Sequence, residues 1–526
     1  MSTRDIKRGI MTSYGIFAAD MLAGVLFTPF LIRSLGQSEY GVYSLMGAFI
    51  ASLAVLDFGF GDAIIRYVAQ YRAEHRKDKE SSLLAMCMAI YAGIAMVSLL
   101  AGAGFYGLLD VVYSGKLTAQ ELTTAKAIFL ILLVNITFSF FIGAYHAYIQ
   151  GYEKYAVLNG ISFFRLFLRI AVLSTLLLLG YKSLAVVAVD TLLNVGMGIS
   201  YFLYAKQKLG MQIKLPLSEE NPVRKWTMFS FDRTLLREVS RYSAFVFIGN
   251  LADLLFWRVG LLVLGALSGS KAVAVYAVGT TLISYFQYIS GVINGKLLPR
   301  VTQMVVQGAN GSELTAFCVR IGRIQLMLLG GILIGYQLYG REFIHLWVGS
   351  EYSLSWEIGL ILMLAMLIQM IQYPCVMILR ALKKDGLRTM LQLVVMALGA
   401  LLGTLLIRGY GVIGMTFGLA LAIVLLNWIV VNIHYVKVFG YDLNQFIKQI
   451  GKLLPAMGLA YAAGMLLNLI PGYAWSTWAV KCLAFLILYA VLLYFLGANE
   501  SEKAMLHSVK RVLHPLTKGL RKPNKV

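Results

Sequence analysis

Apolar runs of membrane-spanning length, one after another, constrain this chain more than anything else in it. They lie near 10–32, 41–65, 82–109, 121–146, 155–179 and 183–205, then near 242–266, 272–297, 314–339, 354–379, 387–407 and 411–436, and finally near 450–470 and 475–497. A helix needs about 20 mainly apolar residues to cross a bilayer, and in lipid its backbone groups must bond internally. Of 526 residues, 59% are hydrophobic and 13% charged, against about 45–50% and 25% in soluble domains. An all-α polytopic membrane protein with about 14 transmembrane helices is expected. Few residues remain for a soluble catalytic domain. The first run follows the basic segment Met1–Gly9, exceeds a signal-peptide core and lacks a small-x-small cleavage site, so it reads as a retained span.

Charge tests this topology independently, because basic residues concentrate on the cytoplasmic side of short loops. Alternate loops collect 32 of the 46 basic residues, including Arg66/Arg72/Arg76/Lys77/Lys79, eight in 206–241 and seven in the tail. The opposite loops hold only Arg33, Lys116, Lys182, Lys271, Arg341 and Arg408. Both termini are thus expected in the cytoplasm. The net charge of +21 is explained by topology, so no nucleic-acid partner is expected. Leu506–Leu520 sets leucines and valines at helical intervals among Lys510, Arg511 and Lys518; it reads either as a headgroup-bound helix or as a disordered basic tail interrupted by Pro515.

The runs divide as six, six and two, around an internal repeat. At an offset of 233, Ala18-Ala19-Asp20 falls on Leu251-Ala252-Asp253, Gly36 on Gly269, and Gly41-Val42-Tyr43 on Ala274-Val275-Tyr276. Shifts of about 229–231 align Lys154 with Lys384 and Gly180-Tyr181 with Gly409-Tyr410. Blocks of even span number share an orientation, which implies a pseudo-twofold axis along the membrane normal. The expected organisation is an N-lobe at 1–206, a cytoplasmic connector at 207–241, a C-lobe at 242–436, two extra helices at 437–497 and a basic tail at 498–526.

Ionisable side chains inside spans are costly, about 2.5–3.5 kcal/mol each at the centre, and are functional candidates for that reason. At about 1.5 Å per residue, Arg165 lies roughly 15 Å beyond Tyr155, with Arg169 one turn further on the same face. Asp20, Asp190 and Asp253 are well inside their spans, and Arg258 is near the outer end of the seventh. Either Arg165 and Arg169 neutralise Asp20, Asp57 or Asp190 to fix helix packing, or they face an aqueous cavity and bind an anionic group, phosphate oxygens being well matched to guanidinium. Asp62 and Arg66, four apart, suit a local helix pair or a gate. Lys296, Arg320, Arg323, Lys126, Lys481 and Glu357 fall close enough to an interface to snorkel.

Amides recur at depth: Asn135, Asn194, Asn250, Gln287, Gln369, Gln372, Asn427 and Asn432. Interhelical hydrogen bonding is their ordinary use; binding sugar hydroxyls is the other. Pro29, Pro374 and Pro455 are candidate kinks, and Gly399-x-x-x-Gly403 and Gly414-x-x-x-Gly418 are packing motifs. The four cysteines read as small core residues. No metal motif, Walker motif or GxSxG is present, and the six histidines are scattered. An enzyme is not expected, and neither is an ATP-driven pump or an ion channel.

Phe30-Leu31-Ile32-Arg33-Ser34-Leu35-Gly36-Gln37-Ser38-Glu39-Tyr40-Gly41-Val42-Tyr43, Leu56-Asp57-Phe58-Gly59-Phe60-Gly61 and Arg66-Tyr67-Val68-Ala69 resemble the polysaccharide transporter, or oligosaccharide flippase, family. So do Ile149-Gln150-Gly151-Tyr152-Glu153-Lys154, Val275-Tyr276 and Gly340-Arg341-Glu342-Phe343-Ile344-His345-Leu346-Trp347-Val348-Gly349. The resemblance implies the fold of multidrug and toxic-compound extrusion transporters and lipid II flippases, two six-helix bundles around a V-shaped cavity. It implies an undecaprenyl-diphosphate-linked oligosaccharide as cargo, turned to the outer leaflet of a bacterial inner membrane. It implies cavity cations that attract the diphosphate and sugar acids; Arg165, Arg169 and Arg258 are the candidates for that role on depth alone. A proton or sodium gradient is the expected drive, with no bound cofactor or metal. Asp20 and Asp253, together with Asp57, Asp62, Arg66 and Asp190, are the coupling or gating candidates. Expected partners are membrane lipids, a polysaccharide polymerase and glycosyltransferases. A drug or metabolite antiporter of the same fold is the alternative. A membrane glycosyltransferase would need more than outer loops of about 4–15 residues.

Overall fold

The structure, a computed structural model, describes residues 3–212, 246–294 and 297–504, with side chains from residue 15 onward except 17, 18 and 292. Most of the connector at 207–241, Lys296 and the segment Leu506–Leu520 lie outside the described residues. Among those described there are helices and turns and no strand. In chain order they are α1 Thr3–Leu35, α2 Gln37–Leu53, α3 Phe60–Ala73, α4 Lys77–Tyr113, α5 Ala119–Gly151, α6 Tyr155–Leu178 and α7 Ser183–Lys208. Then come α8 Val246–Ser268, α9 Ser270–Asn294, α10 Leu297–Val306, α11 Gly311–Trp347, α12 Leu354–Ile371, α13 Tyr373–Ala381 and α14 Gly386–Leu425. The last are α15 Val431–Phe439, α16 Leu443–Gly451, α17 Leu454–Leu466 and α18 Trp475–Leu492.

Among the described residues, twelve stretches are long and apolar enough to cross a membrane. One of them, Gly386–Phe439, is 54 residues long and doubles back at Gly411, where φ is 55° and ψ −136°. The two arms meet glycine to glycine. A Cβ added at Gly418 would stand 2.4 Å from the Cα of Gly403 and 2.6 Å from the oxygen of Gly399. The two glycine motifs are thus one interface, which closes only without side chains.

Two expected spans are broken rather than continuous. The run at 41–65 divides into α2, a 3-10 turn at Ala54–Asp57, and α3. Phe58 and Gly59 take φ of 51° and 74° between them, outside the helical region. A Cβ at Gly59 would also meet Val246 at 2.5 Å, so this glycine answers both a left-handed backbone and a close approach. The run at 354–379 breaks at Gln372, and Pro374 stands in the first turn of α13, as Pro455 does in α17. There proline starts a helix, its missing N–H being one that a first turn leaves unbonded anyway.

The repeat is visible in the turns. α1 ends at Leu35 and α2 starts at Gln37; α8 ends at Ser268 and α9 starts at Ser270, each offset by 233. Between them Gly36 (φ 79°) matches Gly269 (φ 85°). At the same offset, His75 (φ 58°) matches Gly308 (φ 79°). The N–H of Arg76 donates to Tyr71 O and that of Ala309 to Met304 O. At 230, Glu153 (φ 59°) matches Lys383 (φ 57°), with Lys154 N–H donating to Ile149 O and Lys384 N–H to Leu379 O. Gly180 (φ 87°) matches Gly411 at 231.

By proximity the chain groups into two compact units, residues 1–281 with 389–422, and residues 282–388 with 423–526. This grouping is one of packing. The six-plus-six lobes stay a reading of the sequence.

Candidate functional site

In the first unit, α6 carries Arg165 and Arg169 eleven and fifteen residues into its 24. Their fates differ. Arg169 Nε donates to Asp190 Oδ1 at 2.6 Å and a terminal nitrogen donates to Oδ2 at 2.9 Å, a bidentate pair from α6 to α7. The side chains are 25% and 19% exposed. Phe27 lies 5.8 Å from the guanidinium carbon, and the Tyr43 hydroxyl is beside it. The packing role expected for a buried arginine is realised here.

Arg165 makes no ion pair and no hydrogen bond among the described residues, and its Nε is buried without a partner. Asp20, on α1, is an opposite charge that acts on it without forming an ion pair. Asp20 is itself exposed, a class that in this chain includes faces turned to lipid. Of the expected pairings for these two arginines, the structure contains one, Arg169 with Asp190.

Asp57 has a different environment. Its carboxylate faces the backbone N–H groups of Gly59 and Gly61 and the Tyr91 hydroxyl, at the start of α3, where the first N–H groups lack helical partners. Asp62 and Arg66 are both exposed on α3, with the Arg66 guanidinium 5.6 Å from the Tyr67 ring. Asp253 and Arg258 are exposed on α8, and Arg258 stands where that helix is interrupted, at φ −118°.

The two repeat-related turns of this unit meet at a pocket of ≈ 590 Å³. Glu121, in the first turn of α5, accepts hydrogen bonds from Ser38 and, at 2.5 Å, from Ser270. It thus ties the first turn of α2 to the first turn of α9. Glu39 accepts from the Ser183 hydroxyl at 2.5 Å and lies 3.5 Å from Lys182. Lys116, Lys182 and Lys271 line the same pocket, three of the six basic residues assigned to outer loops. Sequence reading missed this cluster. Its one signal was that Glu121 and Thr118 form a capping box, which explains the helix start but not the cross-tie.

Four of the eight amides, Asn135, Asn194, Gln372 and Asn432, take the interhelical role. Asn194 donates to Asn135 at 2.6 Å and to Ser139 at 2.8 Å, joining α7 to α5. In the second unit Gln372 donates to Asn432 at 3.0 Å. Gln325 joins Ser290 and Asn294 in a buried trio.

Arg323 and Lys481 correct the snorkelling expectation. Arg323 is 3% exposed. It donates twice to Glu502, at 2.7 and 2.9 Å, and to the carbonyls of Gln449 (2.6 Å) and Gly497 (2.8 Å). Lys481 donates to Glu342 at 3.0 Å. Their partners lie more than a hundred residues away in sequence, so no local pattern announces them. Cys318 and Cys375, 57 apart in sequence, are free buried thiols with sulfurs 3.2 Å apart.

The family motifs have structural occupations as well. Tyr152 donates to the buried Glu80 at 2.8 Å, the Arg72 guanidinium lies 5.2 Å from the Tyr152 ring, and a Cβ at Gly151 would meet Val68 at 2.8 Å. Together they lock α3, α4 and α5.

Known proteins of this kind have the same architecture. The chain is similar to a lipid II flippase MurJ in its inward closed conformation, with TM-score 0.65 and 13% identity over 92% of this chain and 98% of that one. It is also similar to an inward-facing multidrug resistance MATE family transporter of the MOP superfamily, at TM-score 0.57 and 14% identity over 79% and 99%. At these identities the likeness is one of fold. In sequence it is 21% identical over 500 residues to the uncharacterized membrane protein EpsK of Bacillus subtilis, covering 93% of this chain and 95% of that protein. The model of the family described as polysaccharide biosynthesis protein matches residues 6–305, more than half of the chain, and to that family the chain belongs.

Proposed function

We propose that this protein flips an undecaprenyl-diphosphate-linked oligosaccharide from the inner to the outer leaflet of a bacterial cytoplasmic membrane, with both termini in the cytoplasm. The observation that carries the reading is Arg165. A permanently charged guanidinium inside a span, with a buried nitrogen lacking a partner and no ion pair among the described residues, is costly unless something anionic visits it. A diphosphate is such a visitor, and guanidinium matches its oxygens two at a time. The neighbouring Arg169, cancelled by Asp190, then holds α6 against α7 so that Arg165 keeps its place. Arg258, exposed on α8, is the second cation of the reading.

Family membership supports a polysaccharide cargo, and the repeat of hairpin turns supports alternating access of two related halves. Asp20 and Asp253, at equivalent repeat positions and both exposed, are the coupling sites of the proposal, for protons or sodium. Asp20→Asn and Asp253→Asn are expected to abolish transport while protein remains in the membrane; normal transport by both variants refutes that role. Polymerase and glycosyltransferases of the same polysaccharide are the partners that fit.

The test is reconstitution. Purified protein in vesicles is expected to make a fluorescent undecaprenyl-diphosphate oligosaccharide accessible to a membrane-impermeant quencher from the opposite face. No gain over protein-free vesicles removes the reading. Uptake of an organic cation against an imposed ion gradient, without lipid movement, would instead establish the antiporter.

A further inference from the structure

The second unit contains a pocket of ≈ 840 Å³, in the range of small-ligand sites, about 300–1,000 Å³. It lies at the C-terminal end of α11 and under the loop between α17 and α18, on the side that the charge asymmetry assigns to the exterior. Arg341, Glu342, His345, Asn468, Tyr473 and Lys481 line it. Three of these belong to the motif Gly340–Gly349, which the α6 site does not use.

The groups are held firmly and are not all satisfied. Lys481 and Glu342 are 6% and 10% exposed and bonded at 3.0 Å. That bond uses only Glu342 Oε2; Oε1 is buried with no hydrogen-bond partner, and a buried acceptor left empty is destabilising. Arg341 is exposed and has no ion pair among the described residues. Tyr473 is 83% exposed. Side chains next to the lining tie the surrounding helices together: Trp478 Nε1 donates to Tyr339 O at 3.2 Å, and Tyr339 donates to Gly464 O at 2.7 Å. Phe343 packs between Trp347 (5.3 Å) and Trp478 (5.3 Å). An interfacial aromatic anchor accounts for Tyr473 alone. It leaves unexplained the empty Glu342 Oε1 and the exposed Arg341 guanidinium lining the same pocket.

We propose that this pocket binds an acidic saccharide: a sugar hydroxyl donates to Glu342 Oε1, the sugar carboxylate pairs with Arg341, and the Tyr473 ring covers the C–H face of the pyranose. A carboxylate acceptor, a planar two-pronged donor, the bifunctional amide of Asn468 and an open aromatic ring form a donor set that suits a polyhydroxylated anion. That the saccharide is the sugar end of the transported lipid rests on the function proposed above; the binding itself does not.

The test uses the full chain in nanodiscs, followed by tryptophan fluorescence during titration with cellobiouronic acid and with its neutral counterpart cellobiose. Expected is a saturable change for both, with the acidic sugar binding about tenfold more tightly. Arg341→Ala is expected to erase that preference, and Glu342→Gln to weaken both sugars. Arg408→Ala, at another outer turn, is expected to leave the curves unchanged. Should Glu342→Gln fail to accumulate, the exposed Arg341 decides alone. Absence of saturation, equal affinity for the two sugars, or a wild-type preference in Arg341→Ala overturns the proposal. Lipid transport with no sugar binding overturns the pocket and keeps the flippase; sugar binding with no lipid transport does the reverse.

Discussion

Arg165 and Arg323 are both arginines in long apolar helices, one in each compact unit, and they are used in opposite ways. Arg323 is enclosed by a carboxylate and two carbonyls, all of its charge spent on holding α11 to the chain around Gln449 and to the segment Gly497–Glu502. Arg165 has a nitrogen with nothing to bond. Arg169 stands between these extremes, fully paired and partly exposed. Depth in a span therefore does not separate a fully paired cation from an incompletely paired one.

Substitution should separate the three. Arg323→Ala removes one partner of a buried pair and strands Glu502, for which a loss of about 3–5 kcal/mol is expected, read as a large fall in the unfolding midpoint in detergent. Arg169→Ala is expected to cost less, about 1–3 kcal/mol, because Asp190 is left unpaired but partly exposed. Arg169→Lys keeps the charge and loses the fork, so an intermediate midpoint between wild type and Arg169→Ala is expected; a midpoint as low as that of Arg169→Ala would show that geometry rather than charge holds α6 to α7. Arg165→Ala removes no bond and is expected to change stability by about 0.5 kcal/mol or less, while transport is lost. A midpoint falling as far in Arg165→Ala as in Arg169→Ala would erase the distinction.

The sequence made the helical, membrane-spanning character and the hairpin repeat legible, because both are written in local periodicity and spacing. The match of Gly36 to Gly269 and of Lys154 to Lys384 is a matter of turn chemistry, readable residue by residue. The break at Phe58–Gly59 was not, since an apolar run looks the same whether the helix continues or restarts. Partners at a distance were invisible for a related reason: Arg323 meets Glu502 and Lys481 meets Glu342 only after folding, and distance from a span's end says nothing of what lies across from it. Arg169 was legible as a structural or functional alternative. Only Asp190 across from it decides which.

The most direct measurement places wild type and Arg165→Ala in matched vesicles and follows the transbilayer movement of the labelled lipid-linked oligosaccharide. Movement with the wild type, and at least a tenfold slower rate in a variant of unchanged unfolding midpoint, is the predicted result, equivalent to about 1.4 kcal/mol or more in the rate-limiting step. Equal rates in the two would contradict the account, and would return Arg165 to the ranks of buried charges that merely hold helices together.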